Sequence, residues 1–231
     1  MTTINHSQTF KEIFKDIKAV IFDMDGVLVY NTEFHKKALK QFCSSKGFHL
    51  TDEDMAEKIY GRTNREWLLN LFDSGLTDEL VEEYAQEKEL IYRELYKDSI
   101  NPAPGLIEFL DLLDSLNIPR AIGTSAPPVN VEFTLEKANL RKYFSLVIDD
   151  TMIENSKPDP EIYLKAASEL GFNPQECIVF EDSKSGILAG LNAGAKVVAM
   201  TSTLPLDEIL ALKADFVIDD FHCLSNEKCL N

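Results

Sequence analysis

Two aspartates one residue apart, Asp23 and Asp25, follow the apolar run Ala19-Val20-Ile21-Phe22 and precede Gly26. Carboxylates this close repel each other unless a cation or a proton lies between them. The pair therefore reads either as a metal or proton-transfer centre or as a solvated acidic turn. Gly26 lets the backbone turn sharply beside whatever the aspartates hold. Further polar groups close other apolar runs. Thr124-Ser125-Ala126 follows Gly123 and offers hydroxyls and backbone N–H groups as a phosphate seat, or a plain helix cap through Ser125. Lys157 lies in Ser156-Lys157-Pro158-Asp159-Pro160, where two prolines fix the loop; a cation at a helix start opposes the helix dipole, which favours a functional role. Glu181-Asp182-Ser183 ends a fourth run, with Asp182 or Ser183 also able to cap a helix. Asp23, Asp25, Glu181 and Asp182 together form an oxygen-rich set suited to Mg2+. Beside an anion seat made by Thr124, Ser125 and Lys157, that set has the parts of a phosphoryl-transfer site.

Positioning such groups requires strands that end at one edge. The run at 18–23 is apolar at successive residues, as in a parallel strand buried on both faces. A short helical piece is expected before it, around Phe10 to Ile17. Residues 33–100 then read as helix after helix: Glu33–Lys46 ended by Gly47, a short helix capped by Thr51, one capped by Thr63 or Asn64 through Phe72, and a long one from Thr77. Pro102 and Pro104-Gly105 mark a boundary. Beyond it helices and strands alternate, with strands expected at 119–123, 146–149, 177–181, 195–200 and 215–218 and helices at 105–116, 128–138, 160–170, 184–193 and 206–212. The expected fold is α/β, a doubly wound parallel sheet (a Rossmann-like core) with an inserted all-helical cap domain. Residues 1–32 and 101–231 would form the core and 33–100 the cap, placed to act as a lid.

The formal net charge of −16 argues against nonspecific nucleic-acid binding, which needs clustered Lys and Arg. It also means that an anionic substrate must be drawn in by local cations. No stretch approaches about 18 consecutive apolar residues, so no membrane span is expected. Cys43, Cys177, Cys223 and Cys229 have no metal-site spacing and read as reduced thiols of a cytoplasmic protein. A monomer is the default for a chain of this size.

In order, Asp23-Met-Asp25-Gly-Val, Thr124-Ser125, Lys157-Pro158 and Glu181-Asp182-Ser183 with Gly186-Ile-Leu-Ala-Gly190 resemble the motifs of the haloacid dehalogenase superfamily of phosphotransferases. The resemblance covers residues 17–220 and is to the branch with a helical cap after the first strand. It implies Asp23 as the nucleophile forming an aspartyl phosphate and Asp25 as general acid and base. It implies Thr124, with the Ser125 and Ala126 backbone, as holder of the phosphoryl oxygens and Lys157 as the cation that neutralises the nucleophile and the transition-state charge. Mg2+ would be held by Asp23, the Asp25 carbonyl and Asp182, with Glu181 ligating or just behind. The dehalogenases proper lack the second aspartate, so Asp25 points to phosphoryl transfer.

Within the branch the chain is most similar to β-phosphoglucomutases and sugar-phosphate phosphatases. Asn31-Thr32-Glu33-Phe34-His35 resembles the mutase hinge, with Asn31 in place of a threonine and His35 matching. Arg65, or Arg62, matches a cap arginine that grips a distal phosphate. Lys88 matches a cap lysine, although Glu87-Lys88-Glu89 also reads as a solvated helix face. The reading favours a Mg2+-dependent phosphatase of a small phosphorylated metabolite, in the sugar phosphate or phosphoglycolate class. A hexose-phosphate mutase is the alternative, and a catalytically idle binding module the third reading.

Overall fold

The structure, a computed structural model, describes residues 10–59, 63–72 and 75–224. The chain divides into two compact units, Met1–Tyr30 with Ile100–Asn231, and Asn31–Ser99. Among the described residues the strands are β1 (Ala19–Phe22), β2 (Arg120–Gly123), β3 (Val147–Ile148), β4 (Cys177–Glu181), β5 (Lys196–Met200) and β6 (Phe216–Ile218). The α-helices are α1 (Phe10–Ile13), α2 (Thr32–Ser45), α3 (Asp52–Lys58), α4 (Asn64–Leu71), α5 (Asp78–Tyr96), α6 (Leu106–Ser115), α7 (Pro128–Lys137), α8 (Glu161–Leu170), α9 (Lys184–Ala193) and α10 (Leu206–Leu212).

The first unit is built on one parallel six-stranded sheet, in the order β3-β2-β1-β4-β5-β6. Every residue of β1 and of β4 is buried, which explains why both read as unbroken apolar runs. Successive side chains take opposite faces. Val20 and Phe22 look one way, where Phe22 stacks on its register partner Phe180 at 5.2 Å and meets Phe109 of α6, Phe144 and Phe221 edge-on or tilted. Ala19 and Ile21 look the other way, into a core of smaller groups with Ala166 and Ala167 of α8 and Ala189 and Ala193 of α9. Each large apolar side chain buried this way contributes about 1.5–3 kcal/mol. The order of the sheet reverses direction between β1 and β4, and in open α/β sheets such a switch opens a crevice at the carboxyl ends of the strands. Asp23 follows β1 there, and Glu181 ends β4.

The second unit is all helical among its described residues. Thr51 accepts the Asp54 N–H while Asp54 accepts the Thr51 N–H, and Thr63 and Glu66 do the same for α4. Its core holds Phe42, Cys43, Met55, Trp67, Leu68 and Val81, drawn from α2, α3, α4 and α5. Gly47, at φ +85°, closes the end of α2 with its N–H on Ser44 O. No described helix is long and apolar enough to cross a membrane.

Four local readings need correction. The first helix stops at Ile13, not Ile17, and Asp16 turns the chain into β1 at φ +64°. Ser125 does not cap α7, whose N-cap is Pro127. Lys157 is not at a helix start, because α8 begins only at Glu161. The Glu87-Lys88-Glu89 segment is not a solvated face: Lys88 and Glu89 are buried side by side, and Glu87 pairs with Lys46 at 2.6 Å.

Candidate active site

Lys157 stands at the middle of the carboxylate groups. Its ammonium donates to Asp23 Oδ1 at 2.5 Å, to Glu181 Oε1 at 2.8 Å and to the Gly123 carbonyl at 3.2 Å. An ammonium has three protons, and all three are used. The acceptors belong to the ends of β1, β4 and β2, so one side chain joins three neighbouring strands. The Lys157-Pro158 bond is cis. The Lys157 ammonium also lies 4.9 Å from the ring centre of Tyr163, on α8. Burial alone would lower its pKa, but Asp23 and Glu181 together hold it above the usual lysine value.

Glu181 is fully buried and meets five donors. Oε1 accepts from Lys157 and from the Tyr163 hydroxyl at 2.8 Å. Oε2 accepts from the N–H groups of Asp182 and Ser183 and from the Ser183 hydroxyl at 2.8, 2.9 and 3.0 Å. A carboxylate offers about four lone-pair directions, so the protein itself saturates this one. Burial pushes the Glu181 carboxyl up, but the charge and hydrogen bond of Lys157 bring it below the usual glutamate value. Ser183 also caps α9 by accepting the Gly186 N–H at 3.0 Å. Asp182 is left out of the cap and joins the acidic group instead.

Asp23, Glu181 and Asp182 each present a carboxylate oxygen, and the three oxygens lie within 4.8 Å of one another. Burial, partly opposed by Lys157 and reinforced by Glu181 and Asp182, pushes the Asp23 carboxyl well above the usual aspartate range. Burial first and Glu181 next push Asp182 up to about 7. Burial is the larger cause of both shifts, and the neighbouring carboxylates add to it. The donor set is all oxygen and carries about two surplus charges, so it fits a hard divalent cation.

Asp25 lies outside that trio and is half-buried. Its turn is fixed by the Gly26 N–H on Val29 O at 2.8 Å and the Leu28 N–H on Met24 O at 2.9 Å. Gly26 sits at φ +79°, and a Cβ there would fall 1.8 Å from Asp182 Oδ2. Thr124, at the end of β2, is buried, and its hydroxyl accepts the Ala126 N–H at 3.1 Å. Ser125 between them is exposed.

The remaining candidates belong to the helical unit. Asn31 is buried and donates to the Tyr92 hydroxyl at 2.7 Å, while His35 stacks on the Tyr92 ring at 3.8 Å. Lys88 bonds Glu89, which also accepts from Asn64 at 3.1 Å. Burial would raise the Glu89 carboxyl, but Lys88 and His35 draw it down to about 2. Arg65 is exposed and pairs with Asp78 at 2.7 Å. Arg62 lies outside the described residues. Tyr163 and the Thr201-Ser202-Thr203 turn were not among the sequence candidates. A tyrosine six residues after Lys157 reads as helix core, and short hydroxyl residues read as an ordinary turn.

Residues 20–200 match the family model described as haloacid dehalogenase-like hydrolase. A phosphorylated carbohydrates phosphatase of Thermotoga maritima is 36% identical over 182 residues, 77% of this chain and 82% of that protein. A β-phosphoglucomutase of Bacillus subtilis is 29% identical over 89% of this chain and 94% of its own length. The crystal structure of a HAD hydrolase, family IA, variant 3, from Entamoeba histolytica superposes with a TM-score of 0.85 at 32% identity, covering 93% of this chain and 98% of the other.

Proposed function

The chain belongs to the haloacid dehalogenase-like hydrolases, and we propose that within them it is a Mg2+-dependent phosphatase acting on a phosphorylated sugar or a similarly small phosphorylated metabolite. The observation that carries this reading is the junction at Lys157, where one ammonium joins the Asp23 carboxylate to Glu181 and the end of β2. Such a junction suits a nucleophile that must approach an anionic phosphoryl group. The phosphatase from Thermotoga maritima supports the substrate class.

In the proposed mechanism the Asp23 carboxylate attacks phosphorus and the bond to the leaving oxygen breaks. Asp25 gives that oxygen its proton, releasing the alcohol. Asp25 then takes a proton from water as the water attacks the aspartyl phosphate, which frees inorganic phosphate and restores Asp23. Lys157 offsets the charge on the phosphoryl oxygens, and the Thr124 hydroxyl with the Ser125 and Ala126 N–H groups orients them. The cation would be held by Asp23, Asp182 and the Asp25 carbonyl, with Glu181 as the anchor behind, and its chemistry is to neutralise the phosphoryl oxygens when bound. The buried, free thiols of Cys43 and Cys177 support a cytoplasmic setting.

The Bacillus subtilis relative keeps a hexose-phosphate mutase as the second reading. Internal pairing of the buried Lys88 with Glu89 favours the phosphatase, since that cation already has an anionic partner. The test is a panel of sugar phosphates, phosphoglycolate and β-glucose 1-phosphate with Mg2+ or with chelator. Phosphate release and glucose 6-phosphate formation are read together. Mg2+-dependent release, abolished in Asp23→Asn, is expected. Isomerisation without release would install the mutase, and neither product across the panel would leave only a binding module.

A further inference from the structure

The turn after β5 carries three hydroxyl residues in a row, and each bonds a different part of the core. The Thr201 hydroxyl donates to Asp219 Oδ1 at 2.7 Å, and its N–H donates to the Ile218 carbonyl at 3.1 Å, both at the end of β6. The Ser202 hydroxyl donates to the Gly26 carbonyl at 2.6 Å, on the turn that holds Asp23 and Asp25. The Thr203 hydroxyl donates to Asp182 Oδ2, one residue past β4. A Cβ built on Gly26 would lie 1.8 Å from that same oxygen and 3.0 Å from the Thr203 hydroxyl oxygen. The β1 turn, the Asp182 carboxylate and the Thr203 hydroxyl are therefore packed with no room for a methyl group between them.

We propose that the Thr201–Thr203 turn is a positioning device for the cation site, in which Thr203 orients the Asp182 carboxylate and Ser202 pins the Gly26 carbonyl beside it. The physical need is plain in the charges. Asp182 lies among Asp23, Glu181 and Asp25, all of which repel it, with a single nearby ammonium, that of Lys157. Left to itself the carboxylate would turn toward water. A hydroxyl donor on Oδ2 holds that oxygen and leaves Oδ1 as the face available to a cation. Groups that orient a ligating carboxylate typically change metal affinity 10–100-fold when removed. Ser202 acts on the same site through the Gly26 carbonyl, by fixing the turn whose carbonyl and carboxyl groups would surround the cation.

This rests on the proposed role of Asp182 as a cation ligand, so the test reads cation binding directly as well as turnover. Mg2+ is titrated against the thermal unfolding of the substrate-free protein, and the Mg2+ concentration for half-maximal phosphate release is measured in parallel. Thr203→Val keeps the size and removes the donor. It should raise both Mg2+ midpoints about 10–100-fold while kcat at saturating Mg2+ stays within about threefold. Thr203→Ser, which restores the hydroxyl, should return both midpoints to within about threefold, and Ser202→Ala should raise them less than Thr203→Val. Thr203 is exposed, so Thr203→Ala replaces the valine variant should that one fail to fold. A wild-type protein with no Mg2+-dependent shift overturns the cation reading and this proposal with it. A normal wild-type shift that survives in Thr203→Val, or a serine variant no better than valine, overturns this proposal alone.

Discussion

Gly186→Ala separates two effects of opposite sign. Gly186 lies in the first turn of α9, where alanine is worth about 1 kcal/mol more than glycine by helix propensity. On that ground alone the variant should be more stable. A Cβ at this position, however, would stand 1.5 Å from Glu181 Oε1, 1.9 Å from its Cδ and 2.4 Å from Oε2. Ordinary contact begins at 3.4 Å, so the carboxylate would have to retreat by about 2 Å. A side-chain tip can usually step aside cheaply, but this one is fully buried and held by five donors. Retreat breaks the bond from Lys157, worth about 1.5–3 kcal/mol as a charged hydrogen bond, and leaves the buried Tyr163 hydroxyl unsatisfied at about 1–3 kcal/mol. After the propensity gain, the expected net destabilisation is about 2–5 kcal/mol. Lys157 loses one of its three acceptors, and a displacement of about 1 Å at a reacting group costs about a hundredfold in rate. Urea unfolding followed by circular dichroism and kcat for phosphate release are the measurements. A variant as stable as wild type, with turnover within about twofold, would refute the account of Glu181 as the anchor of the site. Gly47→Ala is the contrast: nothing lies within 4 Å of its Cβ, so any loss there comes only from its φ of +85°.

Tyr163→Phe removes the hydroxyl that Glu181 accepts but keeps the ring near Lys157, so a loss of about 1.5–3 kcal/mol in unfolding free energy is expected, with a larger loss in Tyr163→Leu. Equal stability of the phenylalanine variant and wild type would remove the hydroxyl from the account. Glu89, with a carboxyl held down at about 2 against an ordinary 4.5, contributes stability that is complete above pH 4.5 and lost as pH falls toward 2. At one pKa unit per 1.36 kcal/mol this is about 3 kcal/mol. The stability difference between wild type and Glu89→Gln should therefore shrink over that window, and a difference that stays constant from pH 6 to pH 2.5 contradicts the assignment. Arg65→Ala removes an exposed pair and should change stability by less than about 1 kcal/mol, so its KM values report substrate contact cleanly. Unchanged KM for every phosphorylated substrate retires Arg65. Lys88→Ala, by contrast, leaves Glu89 buried without its cation and should cost about 3–5 kcal/mol.

Much of the fold was written in local sequence because its causes are local. Runs such as Ala19–Phe22 and Cys177–Glu181 are apolar at every position or nearly so, as only a strand covered on both faces requires. Thr51, Thr63 and Thr77 cap the helices they precede because a hydroxyl two or three residues from a free N–H can reach it whatever the tertiary fold. The places of Asp23, Thr124, Lys157, Glu181 and Asp182 were legible for the same reason: each ends or follows a strand or lies in a loop between strands, and strand ends of a parallel sheet share one edge.

What each side chain does there was decided by tertiary structure. Lys157 reaches acceptors 134, 34 and 24 residues away in the chain, and nothing in Ser-Lys-Pro specifies those partners. Glu181 and Asp182 are adjacent and chemically alike, yet one meets the donors of Lys157, Tyr163 and Ser183 and the other that of Thr203. Glu87, Lys88 and Glu89 look like a solvated triplet because charge pattern along a helix does not reveal burial; packing in the helical unit buried two of them. The sequence by itself determined which chemical groups are present and that strand ends would gather them. The three-dimensional packing alone decided their pairing, because hydrogen bonding and desolvation depend on side-chain direction and distance, and residues far apart in the chain supply both.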